Sequence, residues 1–163
     1  GQMNKYKETI YQALRLIFGA LVLADLLAYA DYRWMEPNRT PPCDPSKLSE
    51  GHICLTTVLK QWGYSKIVWI DARNQDAFER GTVKNGQVLS IRNDEKAAVL
   101  LAKALPVLHQ AGIDDKCIVV FCDRSCNAAS EIAEMLKGFQ LQAPIYILEG
   151  GWDEIRKNPS LAS

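Results

Sequence analysis

The sequence predicts an α/β domain with a mostly parallel central sheet and helices on both faces, preceded by a hydrophobic helix. Three observations predict it. Short runs that are apolar at nearly every position alternate with helical patterns through the last two thirds of the chain, and strands buried on both faces read as such runs. A separate apolar segment, Ile10–Ala30, stands near the N-terminal end. With 163 residues, 48% hydrophobic and 23% charged, the chain has the composition of one globular domain plus an appendage.

The elements follow in order. Gly1-Gln2 reads as a cloning remnant ahead of a natural start at Met3. From Ile10 to Ala30, 17 of 21 positions are apolar, broken by Gln12, Arg15, Gly19 and Asp25. A run of about 20 residues is enough for a bilayer span. Its Leu, Ile, Val and Phe residues favour insertion by about 0.3 to 0.6 kcal/mol each, while Arg15 and Asp25 oppose it by at most about 3.5 kcal/mol each. Hydropathy alone is therefore near break-even, and the flanks decide the expectation. Lys5, Lys7 and Arg15 precede the most apolar part, and Tyr29, Tyr32 and Trp34 follow it like an interfacial aromatic belt. Ala28-Tyr29-Ala30 also fits the small-x-small site of a secretory leader. Residues 1–35 are thus expected to form a signal anchor or signal peptide, with membrane association through residues 10–30 and the domain outside the cytoplasm. The alternatives are a cytoplasmic chain whose helix packs on the domain, or a homodimer joined through that helix.

Residues 36–50 read as a linker, since Glu-Pro-Asn-Arg-Thr-Pro-Pro-Cys-Asp-Pro-Ser is rich in helix breakers. The domain is expected over 51–163. Ile67–Ile70 is its first strand and Gln75–Arg80 a short helix, followed by a strand at Val88–Ile91. Asp94–His109 is helical, with Pro106 expected to end or kink it. Cys117–Phe121 is the strongest strand, followed by a polar loop and a helix over 128–137. Ile145–Leu148 is the last strand before Gly150-Gly151 and a terminal helix.

Charge and cysteine content narrow the function. Nineteen basic and nineteen acidic residues balance, which excludes the strongly basic nucleic-acid binders. Two histidines, with no His/Cys cluster at ligand spacing, predict no metal and no cofactor. Five cysteines leave at least one unpaired in a monomer. Cys122 follows the strongest strand and enters the loop Asp123-Arg124-Ser125-Cys126-Asn127, with a helix directly behind it. Ligands of open α/β sheets bind at the carboxyl ends of strands. A helix N-terminus there favours the thiolate, which is the nucleophile. Loop amides can form a nest for a second sulfur or an oxyanion. Read from residues alone, Cys122 is equally a nucleophile or a small buried hydrophobe. Cys126 is equally a resolving thiol, able to attack an oxidised or persulfidated Cys122, or a packing residue. Cys117 reads as a core thiol. Cys43 and Cys54 are expected to pair if the domain is exported. Asp71 and Arg73 read as a structural polar pair at a strand end.

Three segments carry a resemblance. Ile70-Asp71-Ala72-Arg73 with Phe78 and Gly81, Val119-Val120-Phe121-Cys122, and Leu148-Glu149-Gly150-Gly151-Trp152, in this order and spacing, resemble the rhodanese-like domain family from about Gly51 to Lys157. The resemblance implies a sulfurtransferase. Cys122 would take sulfur from a small donor such as thiosulfate or a persulfide, carry it as a persulfide, and pass it to a thiol acceptor. The backbone from Asp123 through Arg124, Ser125 and Asn127 to Ala128 would cradle that sulfur, and Gly150-Gly151-Trp152 would be the family's closing turn. The departures are equally specific. Ser125 stands where the family loop has glycine, Asn127 where it has arginine, and Thr82 where a histidine commonly follows Gly81. Losing the loop arginine weakens an anionic donor and, more strongly, a phosphatase, which needs a cationic loop. Two other functions stay open: a thiol redox protein using Cys122 and Cys126 as a dithiol–disulfide pair, and a silent module that binds a partner.

Overall fold

The computed structural model describes residues 2–35 and 41–162, without the side chains of residues 32–35. The first five residues of the expected linker, 36–40, and the rings of Tyr32 and Trp34 lie outside the described residues. The chain divides into two compact units, one up to Pro42 and the other from Cys43 onward.

The first unit is helix α1, Gln2–Met35. Its stretch Gln2–Asp31 is long and apolar enough to cross a bilayer by length and composition. Leu14, Leu16, Ile17, Phe18, Leu21, Leu23, Leu26 and Leu27 are all exposed along it. A buried core helix of the same composition would hide these side chains.

The second unit is an α/β domain built on β1 (His52–Ile53), α2 (Leu55–Trp62), β2 (Ile67–Asp71), α3 (Gln75–Arg80), β3 (Gln87–Ser90), α4 (Ala97–Ile113), β4 (Cys117–Phe121), α5 (Ala128–Lys137), β5 (Ile145–Leu148) and α6 (Trp152–Arg156). The five strands form one sheet in the order β1-β5-β4-β2-β3, and every pairing is parallel. Because side chains alternate along a strand, the apolar runs feed two cores. Val68, Ile70, Ile118 and Val120 face Leu101, Leu108, Ile132 and Leu136 of α4 and α5. Ile67, Trp69, Val119 and Phe121 face Val58 of α2, Ile155 of α6 and Leu161. Burial on both faces explains why β2 and β4 lack any polar alternation.

Three features depart from expectation. Nothing in the sequence signals β1 and α2. Two-residue β1 gains its identity from pairing with β5, His52 opposite Ile147 and Ile53 opposite Leu148, and the N-cap residue of α2, Cys54, makes no side-chain cap. The third strand lies one residue earlier than expected, and Ile91 instead donates its N–H to the Asp71 carbonyl. Pro106 does not end α4, which runs from Ala97 to Ile113 through it. Proline removes one bond, to the carbonyl four residues back. Both Pro106 and Ala102 are exposed, so water can take that carbonyl. Asp94 delays the start of α4 by accepting the Lys96 N–H on its carboxylate and the Ala97 N–H on its carbonyl.

A disulfide joins Cys43 to Cys54, with Cα atoms 5.7 Å apart. It ties the segment ahead of the sheet to the N-cap residue of α2, and closing so short a loop is worth about 3 kcal/mol on the chain-entropy account.

Candidate functional site

The topology selects the place. From β2 the chain steps outward to β3, returns to β4 on the other side of β2, and then steps outward the opposite way to β5. The winding direction therefore reverses between neighbouring β2 and β4, and the crevice beyond their carboxyl ends is where open α/β sheets hold ligands. Asp71 ends β2 opposite Phe121 of β4, and the Ala72 N–H donates to the Phe121 carbonyl. The next residues of the two strands, Ala72-Arg73 and Cys122, meet at that crevice.

Cys122 is 5% exposed and packs on the α4–α5 core beside Ala129. After it the loop turns sharply, because the Cys126 N–H donates to the Asp123 carbonyl at 3.1 Å. This turn folds Cys126 back onto Cys122, and the two are joined as a disulfide with Cα atoms 6.1 Å apart. The intervening Asp123, Arg124 and Ser125 are exposed, as is Asn127, while Cys126 and Ala128 are half-buried. The N–H groups of Arg124, Ser125, Asn127 and Ala128 donate to no backbone carbonyl among the described residues. Asn127 opens α5 in a helical conformation and makes no side-chain cap. The loop thus presents uncommitted amides and the positive end of α5, while its two charged side chains have opposite sign.

A buried polar cluster backs this loop. Arg73 Nε donates to Asp71 Oδ1 at 3.0 Å and one terminal nitrogen to Asp71 Oδ2 at 2.7 Å. Their side chains are 3% and 0% exposed. The same terminal nitrogen donates to the Gly81 carbonyl at 2.7 Å, and Thr82 Oγ1 donates to Asp71 Oδ2 at 2.8 Å. The Arg73 guanidinium lies 4.0 Å from the Trp152 ring centroid, close enough for a cation–π contact. Trp152 stacks on Phe121 and donates its backbone N–H to the Cys122 carbonyl at 2.8 Å. The three sequence segments singled out above therefore converge on one structure. Asp71 holds Arg73, Arg73 holds Trp152, and Trp152 holds the backbone of Cys122.

Gly151 allows that contact. Its φ is +56°, and a Cβ added there would stand 2.1 Å from the Cys122 carbonyl oxygen. Only glycine lets the turn approach so closely.

Reasoning from sequence missed the part played by Thr82, seen only as a departure after Gly81. Its hydroxyl completes the Asp71 carboxylate, a partnership no local pattern could reveal across eleven residues of chain. Cys117 is fully buried at the start of β4, with burial pushing its thiol up to about 12. It is the free cysteine, the other four being paired. A cavity of about 310 Å³, lined by residues that include Gln87, Gln110, Asp114 and Lys116, opens where β4 begins, at the opposite end of that strand from Cys122.

Comparison with known proteins agrees with this fold. The family model described as "Rhodanese-like domain" matches residues 56–158. Among solved structures, the BH2092 protein of Bacillus halodurans is similar at 14% identity, over 83% of this chain and 85% of its own, with a TM-score of 0.50. Saccharomyces cerevisiae Ygr203w, described as a homolog of single-domain rhodanese and Cdc25 phosphatase catalytic domain, is similar at 15% identity, over 69% of this chain and 86% of its own, with a TM-score of 0.54. At these identities the likeness is one of fold. No curated protein matches the sequence.

Proposed function

Because the chain belongs to the rhodanese-like domain family, we propose that Cys122 is a sulfur-carrying nucleophile and the protein a sulfurtransferase. The observation that carries this reading is the position of Cys122 at the β2–β4 switch point, where the following loop turns uncommitted amides and a helix N-terminus to the site. In the reduced chain the Cys122 thiolate attacks the outer sulfur of a donor. An S–S bond forms on Cys122, the donor's S–S bond breaks, and the remainder leaves as sulfite or a thiolate. The amides of Arg124, Ser125 and Asn127 offer hydrogen bonds to the carried sulfur. A thiol acceptor then attacks that sulfur and returns Cys122 to the thiolate. Arg124 is the loop's one basic side chain and Asp123 offsets it, so the site suits a donor of low charge, such as a persulfide, better than thiosulfate or a phosphate ester.

A second reading has its own observation. The bond between Cys122 and Cys126 favours a dithiol–disulfide oxidoreductase.

Intact-mass measurement tests the first reading. The reduced protein, incubated with thiosulfate or glutathione persulfide, should gain about 32 Da as Cys122 takes up one sulfur, and Cys122→Ser should gain nothing. Absence of sulfur uptake from every donor, with Cys122 open to alkylation, would leave only the redox or partner-binding readings.

We also propose that α1 anchors the domain to a membrane, with the domain on the oxidising side. Lys5 and Lys7 at its start suit a cytoplasmic N-terminus, and the Cys43–Cys54 disulfide suits an oxidising compartment. Native protein should sediment with membranes and resist carbonate extraction. Recovery in the soluble fraction would overturn this and assign α1 to packing between chains or to a cleaved leader.

A further inference from the structure

We infer that Cys126 resolves the Cys122 persulfide within the chain, so that the site reduces persulfide sulfur to hydrosulfide and must be recharged by an external dithiol. This rests on the sulfur-carrying reading of Cys122 and adds the fate of the sulfur.

The geometry carries it. The turn closed by the Cys126 N–H and the Asp123 carbonyl brings the second sulfur onto the first, with β4 and α5 intact on either side of it. Cys122 is held from behind, through the Trp152 N–H on its carbonyl. The half-buried Cys126 lies on the exposed loop in front of it. An intramolecular thiol in this position competes with outside acceptors at an effective concentration they do not reach in solution. No other thiol can take the role. Cys117 is buried with its proton held to about 12, and Cys43 and Cys54 are committed to each other.

The chemistry balances. The Cys122 thiolate attacks the outer sulfur of a hydropersulfide, a thiolate leaves, and Cys122 carries S–SH. The Cys126 thiolate then attacks Cys122 Sγ. The Cys122–Cys126 bond forms, the persulfide bond breaks, and hydrosulfide departs with the electron pair. Two thiols are oxidised to a disulfide and one sulfur is reduced by two electrons. An external dithiol then attacks the more accessible sulfur, that of Cys126. Cys122 leaves as a thiolate at the α5 N-terminus, and the dithiol closes to its own disulfide. If the domain lies in an oxidising compartment, a reaction that delivers dithiol reducing power must reach this site.

The test uses the full chain with the Cys122–Cys126 bond reduced and the Cys43–Cys54 bond kept, freed of reductant and given glutathione persulfide. The wild-type protein should release about one hydrosulfide per chain while losing the Cys122 and Cys126 thiols, and the peptide pair linked through Cys122–Cys126 should appear on digestion. Cys126→Ser should instead accumulate the adduct of about 32 Da and release little hydrosulfide until an outside thiol is added. An adduct equally long-lived in wild type and Cys126→Ser, with no linked peptide in the wild type, would overturn the inference while leaving Cys122 as a sulfur carrier. Failure of both proteins to take up sulfur or release hydrosulfide would instead sink the sulfur-carrying reading, and this inference with it. The wild-type thiol and hydrosulfide balance decides the matter even if the variant folds poorly.

Discussion

Replacing Arg73 with alanine is expected to destabilise the domain by about 3–5 kcal/mol, measured as a fall in the urea unfolding free energy. The pair it breaks is almost wholly buried, with side chains 3% and 0% exposed. Removing the guanidinium strands the Asp71 carboxylate away from water. Among the described residues it would keep the Thr82 hydroxyl and the Arg73 backbone N–H as donors. The Gly81 carbonyl loses its side-chain donor in the same step, and Trp152 loses the cation above its ring. An uncompensated buried charge costs far more than a surface pair would.

Two companion variants separate the charge from its geometry. Arg73→Lys keeps a cation but not the planar fork, which donates to both carboxylate oxygens and stacks on Trp152, so most of the loss should remain. In a double-mutant cycle, adding Asp71→Ala to Arg73→Ala should cost much less than the two changes summed, because the second no longer abandons a charge. Losses below about 1 kcal/mol for Arg73→Ala would show that the pair contributes no more than an exposed one.

The same cluster marks how far sequence could read this molecule. Strands β2, β4 and β5, and helices α3 and α5, were legible because their apolar runs and periods are local. β4 is apolar along its whole length because both faces are covered, and that property survives in the sequence without its partners. β1 was not legible, since a two-residue strand exists only through its pairing with β5. Of the two outcomes expected at Pro106, an end or a kink, α4 does not end there, because the rule against internal proline assumes that the freed carbonyl finds no partner. The place of Cys122, directly after the strongest strand, was legible. The partnership of Thr82 with Asp71 and the contact of Trp152 with Cys122 were not, since both join residues separated in sequence that only the fold brings together. Cys126 could be read as a thiol four residues on, but only the turn at Asp123 brings it back to its neighbour.

Gly151→Ala is expected to lower both stability and the reactivity of Cys122, and the second effect tests the link between the closing turn and the nucleophile. The added methyl would stand 2.1 Å from the Cys122 oxygen and 3.1 Å from its carbonyl carbon. Both are backbone atoms, so no rotamer change relieves the overlap. Either the turn or the end of β4 must move, and the hydrogen bond from the Trp152 N–H to Cys122 goes with it. Left-handed strain of about 1–2 kcal/mol adds to overpacking of about 1–3 kcal/mol, predicting a stability loss of about 3 kcal/mol. A shift of about 1 Å at a reacting group can cost on the order of 100-fold in rate, so sulfur uptake from a persulfide should slow to that extent. Gly150→Ala is the control. Its φ is also positive, at +77°, but the atoms nearest the methyl there belong to the Glu154 side chain, which can swing aside. It should therefore lose stability without slowing uptake, both variants being compared where they remain folded. Equal uptake rates in the two would mean that the closing turn supports the fold and does not set the position of Cys122.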